Sequence, residues 1–140
     1  MKALVVDDSR AMRTILSRIL RKAGAAEVRE AADGCEAIAC LESGAIPDLV
    51  LVDWNMPNMN GLELVNALRR RPEWRQVTIV MVTTESEQRQ IVRALAAGAH
   101  EYVIKPFEEE SLFDKLALLG FPQASAVTGT GSTQQEVFSA

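Results

Sequence analysis

Asp48-Leu49-Val50-Leu51-Val52-Asp53-Trp54-Asn55-Met56-Pro57 is the stretch whose reading decides the fold. Pro47 introduces it, four apolar residues run without interruption, and an acid ends it. Such a run suits a central strand of a sheet covered on both faces, because a strand open to water on one side alternates apolar and polar residues. The turn Asn55–Asn60 follows. Beyond it, Leu62, Leu64, Val65 and Leu68 recur at helical spacing.

The same strand-then-helix order extends in both directions. Upstream, Ala3–Val6 is an apolar run ending in Asp7-Asp8. Met12, Ile15, Leu16, Ile19 and Leu20 then trace one buried face of a helix, with Ser9 as N-cap and Gly24 as its stop. A weaker strand near Glu27–Ala31 leads through Asp33-Gly34 to a short helix with Ala37, Ile38 and Leu41. Downstream, Thr78–Val82 is a strand expected to be buried on both faces. Ile91, Val92 and Leu95 mark a helix ending at Gly98, Tyr102–Ile104 a last strand, and Leu112, Phe113, Leu116 and Leu119 a last helix. Strand–helix alternation with short connections implies parallel strands joined by right-handed crossovers, with helices on both faces. Five such βα units predict an α/β fold: a flavodoxin-like (βα)5 doubly wound parallel sheet of strand order 2-1-3-4-5.

The totals agree with one domain. The chain has 140 residues, 48% hydrophobic and 24% charged, with a net charge of -4. That acidic balance argues against nucleic acid as a partner. The apolar stretches are too short for a membrane span of about 20 residues, and the N-terminus lacks the pattern of a signal peptide. A cytoplasmic monomer is the expectation. Cys35 and Cys40 lie about 140° apart around one helix, a poor geometry for a disulfide, and are read as small buried or half-buried free thiols. From Gln123 the composition turns to Ser, Thr, Gly and Gln. Residues 1–122 are therefore read as the domain, and 123–140 as a flexible tail or truncated linker, with Val137-Phe138 a less favoured docking element.

In an open parallel sheet, ligands bind at the carboxyl ends of the strands near the switch in strand order. Strand one ends in Asp7-Asp8, strand three in Asp53, strand four in Thr83-Thr84 and strand five in Lys105-Pro106. Taken singly, each has a plain explanation: an aspartate caps the next helix or turn, Thr83 belongs to the N-cap region of the fourth helix, and Lys105 is a solvated charge. Together, three carboxylates on one rim repel one another unless a counter-charge is present. Hard oxygen ligands favour Mg²⁺ over a transition metal, and Lys105 suits an anion bound beside it. That combination points to phosphoryl transfer, with Asp53 as the nucleophile of an acyl phosphate. Asp7 and Asp8 would hold the metal, the Asn55 carbonyl could complete its coordination, and the Thr83 hydroxyl could meet the phosphoryl oxygens.

Val5-Val6-Asp7-Asp8-Ser9-Arg10, Asp53-Trp54-Asn55-Met56-Pro57 with Asn60-Gly61, Val82-Thr83, and Tyr102-Val103-Ile104-Lys105-Pro106-Phe107 resemble the receiver domain of two-component response regulators. The likeness runs from Met1 to about Gly120. It is nearest to single-domain, CheY-like chemotaxis regulators in Ser9–Arg13 and Trp54-Asn55, and none of Asp7, Asp8, Asp53, Thr83 and Lys105 departs from the pattern. The resemblance implies that Asp53 accepts a phosphoryl group from the phosphohistidine of a CheA-like histidine kinase. It implies Mg²⁺ on Asp8, Asp53 and the Asn55 carbonyl, with Asp7 acting through water, and a cis bond between Lys105 and Pro106. Thr83 and Tyr102 become the switch pair. The fourth helix, fifth strand and fifth helix, including Glu87 to Ala97 and Glu101 to Tyr102, become the output face toward a partner such as a flagellar switch component. Asn55 and Glu85 take the positions that tune phosphate lifetime, with a phosphatase as a further possible partner.

Other classes fit less well. A haloacid dehalogenase phosphatase needs Asp-x-Asp-x-Thr after its first strand. Asp7-Asp8 would repel the phosphate of a flavin, and the Gly-x-Gly-x-x-Gly turn of dinucleotide binding is missing. The receiver half of a longer regulator remains an alternative. Tyr102 as a plain core aromatic and His100 as a surface residue are the bland readings of those positions. Trp54 and Trp74 stay open between packing and partner contact.

Overall fold

The computed structural model describes residues 1–121; the expectations for 123–140, including Val137-Phe138, lie outside them. Five strands alternate with five helices: β1 (Lys2–Val6), α1 (Arg10–Lys22), β2 (Glu27–Ala31), α2 (Gly34–Ser43), β3 (Leu49–Val52), α3 (Gly61–Arg70), β4 (Thr78–Thr83), α4 (Gln88–Ala97), β5 (Glu101–Ile104) and α5 (Glu109–Leu118). All neighbouring strands pair in parallel, and the order across the sheet is β2-β1-β3-β4-β5, as predicted.

Side chains alternate between the two faces of a strand, so each strand feeds two cores. Ala3, Val5, Leu49, Leu51, Val80, Val82 and Val103 point to one face, under α1 and α5. Leu4, Val6, Val50, Val52, Ile79, Met81 and Tyr102 point to the other, under α2, α3 and α4. β3 is buried along its whole length, which explains why its sequence shows no alternation.

The helix ends follow local chemistry. Ser9 Oγ accepts the Met12 N–H at 3.1 Å and starts α1. Gly24, at φ +96°, ends it: its N–H donates to Arg21 O and the Ala25 N–H to Leu20 O, the two bonds of a Schellman motif. Asn60 and Glu63 form a reciprocal capping box at the start of α3.

Several expectations change in detail. β4 includes Thr83 and therefore extends one residue beyond Val82, while Thr78 at its start is only half-buried. Ile15 of α1 is exposed, because Leu16, Ser17, Ile19 and Leu20 form the inward stripe. In α4 the fully buried residue is Ala94, and Val92 and Leu95 face outward. The small Ala94 lets the helix lie close to the sheet, and 3.6-residue geometry then carries positions 92 and 95 off that face. Trp74 packs inside, 2% exposed, with the Arg71 guanidinium 4.0 Å above its ring, which assigns it to packing. Both cysteines are free, and Cys35 is exposed where a buried or half-buried thiol was expected.

Candidate functional site

The ladder of the sheet places each rim residue. The Asp53 N–H donates to Val6 O at 2.9 Å, Asp7 N–H to Ala31 O at 3.1 Å and Lys105 N–H to Thr83 O at 2.8 Å. These bonds extend parallel pairing one residue past the strands, so the side chains after β1, β3 and β5 emerge together at one end of the sheet. Asp7, Asp53 and Thr83 are buried there, and Asp8 is exposed. One carboxylate oxygen from each of Asp7, Asp8 and Asp53 lies within 4.8 Å of the others, the kind of oxygen cluster that could hold a metal ion.

Lys105 is not the solvated charge of its plain explanation: its Nζ donates to Asp7 Oδ2 at 2.8 Å and stands 3.6 Å from Asp53 Oδ2. Asp7 Oδ1 accepts the Ser9 N–H at 2.9 Å, so both oxygens of Asp7 are engaged. Asp53 is the contrast. Its Oδ1 is the one buried side-chain oxygen without a hydrogen-bond partner among the described residues. Burial raises its pKa above the ordinary carboxylate value, and the charge of Asp7 adds to that; the Thr83 hydroxyl, Lys105 and the Asn55 N–H act the other way. A buried acid with an unused oxygen, beside an ammonium and a second carboxylate, is an acceptor held ready for a cation or an electrophile.

The remaining site residues form the mouth. The Thr83 Oγ1 accepts the Glu85 N–H at 3.3 Å, a bond within the loop; Thr83 does not cap the fourth helix, because α4 starts at Gln88 with Glu87 as its N-cap residue. Asn55 is exposed and its amide meets Glu85 Oε2 at 3.4 Å. Tyr102 stands inward, 7% exposed, and its hydroxyl donates to Glu85 O at 2.8 Å. Burial, with Glu85 and Asp53 nearby, pushes its pKa up to about 12. Trp54 is buried in the core behind Asp53, which also assigns it to packing. Lys105-Pro106 is cis, as expected. Gly61 is required for closeness: a Cβ there would overlap the Asp53 carbonyl oxygen, and its N–H closes the loop onto Trp54 O at 2.8 Å.

His100 is exposed as expected, yet its ring is not idle. Nδ1 accepts the Ile79 N–H at 3.1 Å and so holds the start of β4, at the end of the strand opposite the rim. Two further contacts had no signal in the sequence. Arg69 donates to the carbonyls of Val77 and Gly98, tying α3 to the loops on either side of β4 and α4. Asp33 accepts from Asn58 of the loop that follows Asp53.

The response regulator receiver domain family matches the chain over residues 3–117. The chain belongs to this family. The receiver is 41% identical over 119 residues to the chemotaxis protein CheY1 of Helicobacter pylori, covering 85% of this chain and 96% of that protein. It is 42% identical over 132 residues to a chemotaxis protein CheY homolog of Campylobacter jejuni, covering 94% and 95%. Among solved structures, the chemotaxis response regulator CheY4 of Vibrio cholerae aligns with a TM-score of 0.77 at 39% identity over 84% of this chain and 97% of that one. A probable two-component response regulator/GGDEF domain protein aligns equally well, TM-score 0.77 at 36% identity, but there the receiver covers only 48% of the longer chain. Among the described residues no helix is long and apolar enough to cross a membrane.

Proposed function

We propose that this receiver is a phosphorylation-driven switch of a two-component system, with Asp53 as its acceptor. The observation that carries the reading is the unpartnered, buried Oδ1 of Asp53 at the switch point of the sheet. In the forward step a carboxylate oxygen of Asp53 attacks the phosphorus of a phosphohistidine on a CheA-like kinase. The P–N bond breaks, the imidazole nitrogen leaves with the electron pair, and an acyl phosphate forms. Lys105 has the charge and the reach to neutralise the transferred group, because its Nζ already lies 3.6 Å from Asp53 Oδ2.

The donor set fits Mg²⁺: hard oxygens only, three acids in one cluster, and an orphaned oxygen among them. Asp8, Asp53 and the Asn55 carbonyl would hold the ion. Asp7, whose two oxygens are taken by Ser9 and Lys105, would act through water. When bound, Mg²⁺ supplies charge neutralisation for the phosphoryl oxygens. Dephosphorylation by the receiver itself, with Asn55 and Glu85 setting its rate, belongs to the same proposal.

The readout follows from the mouth of the site. A phosphoryl group on Asp53 offers Thr83 a stronger acceptor than any it faces now, and Thr83 shares the Glu85 backbone with Tyr102. Their rearrangement would alter α4, β5 and α5, where Val92, Leu95 and Ile104 are exposed for a partner. The relatives named for chemotaxis favour a motility target such as a flagellar switch component, in the cytoplasm. A second reading, the receiver half of a longer regulator, draws on the GGDEF-domain protein. Incubation with Mg²⁺ and acetyl phosphate should place an acid-labile phosphate on Asp53 and change Trp54 fluorescence. Absence of both changes in intact protein would overturn the reading.

A further inference from the structure

The loop that leaves the acceptor carries a strained turn, and that turn is fastened from outside. Asn58 has φ +68°, the single non-glycine residue with positive φ among the described residues. The Met59 N–H donates across it to Pro57 O at 2.7 Å. A three-residue hydrogen-bonded turn with positive φ has the hand of the rarer, strained γ-turn, and such a turn persists only where its surroundings impose it. Here they do. Asn58 Nδ2 donates to Asp33 Oδ2 at 2.8 Å, and the Gly34 N–H donates to Met59 O at 3.3 Å. The Met59 side chain lies directly over Gly34, in the space a Cβ would take.

Asp33 performs two tasks with two oxygens. Oδ1 accepts the Glu36 N–H at 2.8 Å and starts α2; Oδ2 is left over for the loop. A helix cap needs one acceptor, so the second bond has a different beneficiary. The carboxylate has only lone pairs to offer, which sets the orientation of the Asn58 amide with its NH₂ toward Asp33. The bond is partly buried, with Asp33 8% exposed, and so competes less with water than a surface pair.

We infer that Asp33 and Asn58 are positioning residues for the chemistry at Asp53. Asn55, whose carbonyl the proposed metal site uses, lies three residues before Asn58, in a segment pinned at Gly61 on one side and at Asp33 on the other. With the Asp33–Asn58 bond in place the Asn55 carbonyl is held ready for a cation. Without it the strained turn relaxes and binding must first reorder the loop. The inference rests on the phosphoacceptor reading.

The test compares Asn58→Gly, Asp33→Ser and the double variant with the unaltered protein. Glycine keeps the positive φ but loses the amide, and serine keeps an N-cap oxygen but is too short to reach Asn58. Mg²⁺ affinity of the unphosphorylated protein is measured by calorimetry, and labelling by acetyl phosphate is followed against Mg²⁺ concentration. Each single variant should bind Mg²⁺ about tenfold more weakly, the usual scale for a group that orients a ligand. Labelling should need correspondingly more Mg²⁺ while its rate at saturating Mg²⁺ stays near that of the unaltered protein. The double variant should be no worse than either single one. Unchanged Mg²⁺ affinity in both single variants would overturn the inference, whatever their thermal stability. If the unaltered protein takes up neither Mg²⁺ nor phosphate, the parent reading falls and this one with it.

Discussion

The side-chain amide of Asn55 donates to Glu85 Oε2 across the mouth of the site at 3.4 Å. One residue follows β3 and the other follows β4, so the two loops that flank the acceptor touch at the mouth of the site. Under the proposed self-dephosphorylation, removing the Glu85 carboxylate takes away an acceptor able to orient the attacking water. Glu85→Leu should lengthen the life of the phosphorylated protein on the order of tenfold. Residues in contact couple, so Asn55→Ala combined with Glu85→Leu should not give the product of the two single effects. The decay of acid-labile phosphate after donor removal measures both.

Asp53→Asn should abolish labelling and, in the absence of Mg²⁺, make the fold more stable. The buried carboxylate has an unpartnered oxygen and a raised pKa, so its ionised form disfavours the folded state near neutral pH. The amide removes that charge at nearly the same volume. A gain of about 1 kcal/mol is expected at pH 7 from urea unfolding, lost as the pH falls through the raised pKa to the ordinary carboxylate value and the acid takes up its own proton. Loss of stability would mean that Lys105, the Thr83 hydroxyl and the Asn55 N–H together outweigh the burial of the ionised acid.

Lys105→Ala leaves Asp7, 1% exposed, without its ammonium partner. Breaking a buried ion pair by removing one side costs about 3 kcal/mol. Mg²⁺ should restore part of that loss, because a metal can replace the missing positive charge, and its affinity should hold or rise. Labelling-dependent activation should fall. Thermal unfolding with and without Mg²⁺ separates the two effects.

His100 gives the fold a pH dependence below neutrality. Its Nδ1 accepts the Ile79 N–H and faces Arg69 Nη2 at 3.4 Å, so protonation removes one bond and sets two positive charges together. Burial and then Arg69 lower its pKa from 6.5, and the unfolded chain therefore takes up the proton first. Stability should be full above pH 6.5 and fall as the pH drops below it. His100→Asn keeps an acceptor that does not titrate, so the slope of the urea midpoint between about pH 7.5 and about pH 5.5, roughly one pH unit either side of that value, should flatten.

Where a residue's role depends on its neighbours along the chain, the sequence was readable. Ser9 stands one residue before its helix, Gly24 stands where α1 stops, and β3 reads as an unbroken apolar run because both its faces are covered. The strand-end motifs told which acids would share a rim, since parallel pairing with a known order leaves few choices. What escaped were contacts between elements. Nothing in Asp33-Gly34 or Asn58 announces the other, as their bond spans 25 positions. Val92 and Leu95 looked like a core face because an apolar side chain carries no mark of which neighbour its helix will meet.

Asp7, Asp8, Asp53, Thr83 and Lys105 were thus determined as a set by sequence alone, because strand order and strand polarity bring the ends of β1, β3, β4 and β5 to one edge. The tertiary structure decided how they divide the labour. Lys105 is spent on Asp7, and Asp53 is left with a buried oxygen that no group among the described residues hydrogen-bonds. That division is a matter of ångströms between side chains 46 and 98 residues from Asp7, and Coulomb energy and desolvation depend on such distances rather than on order along the chain.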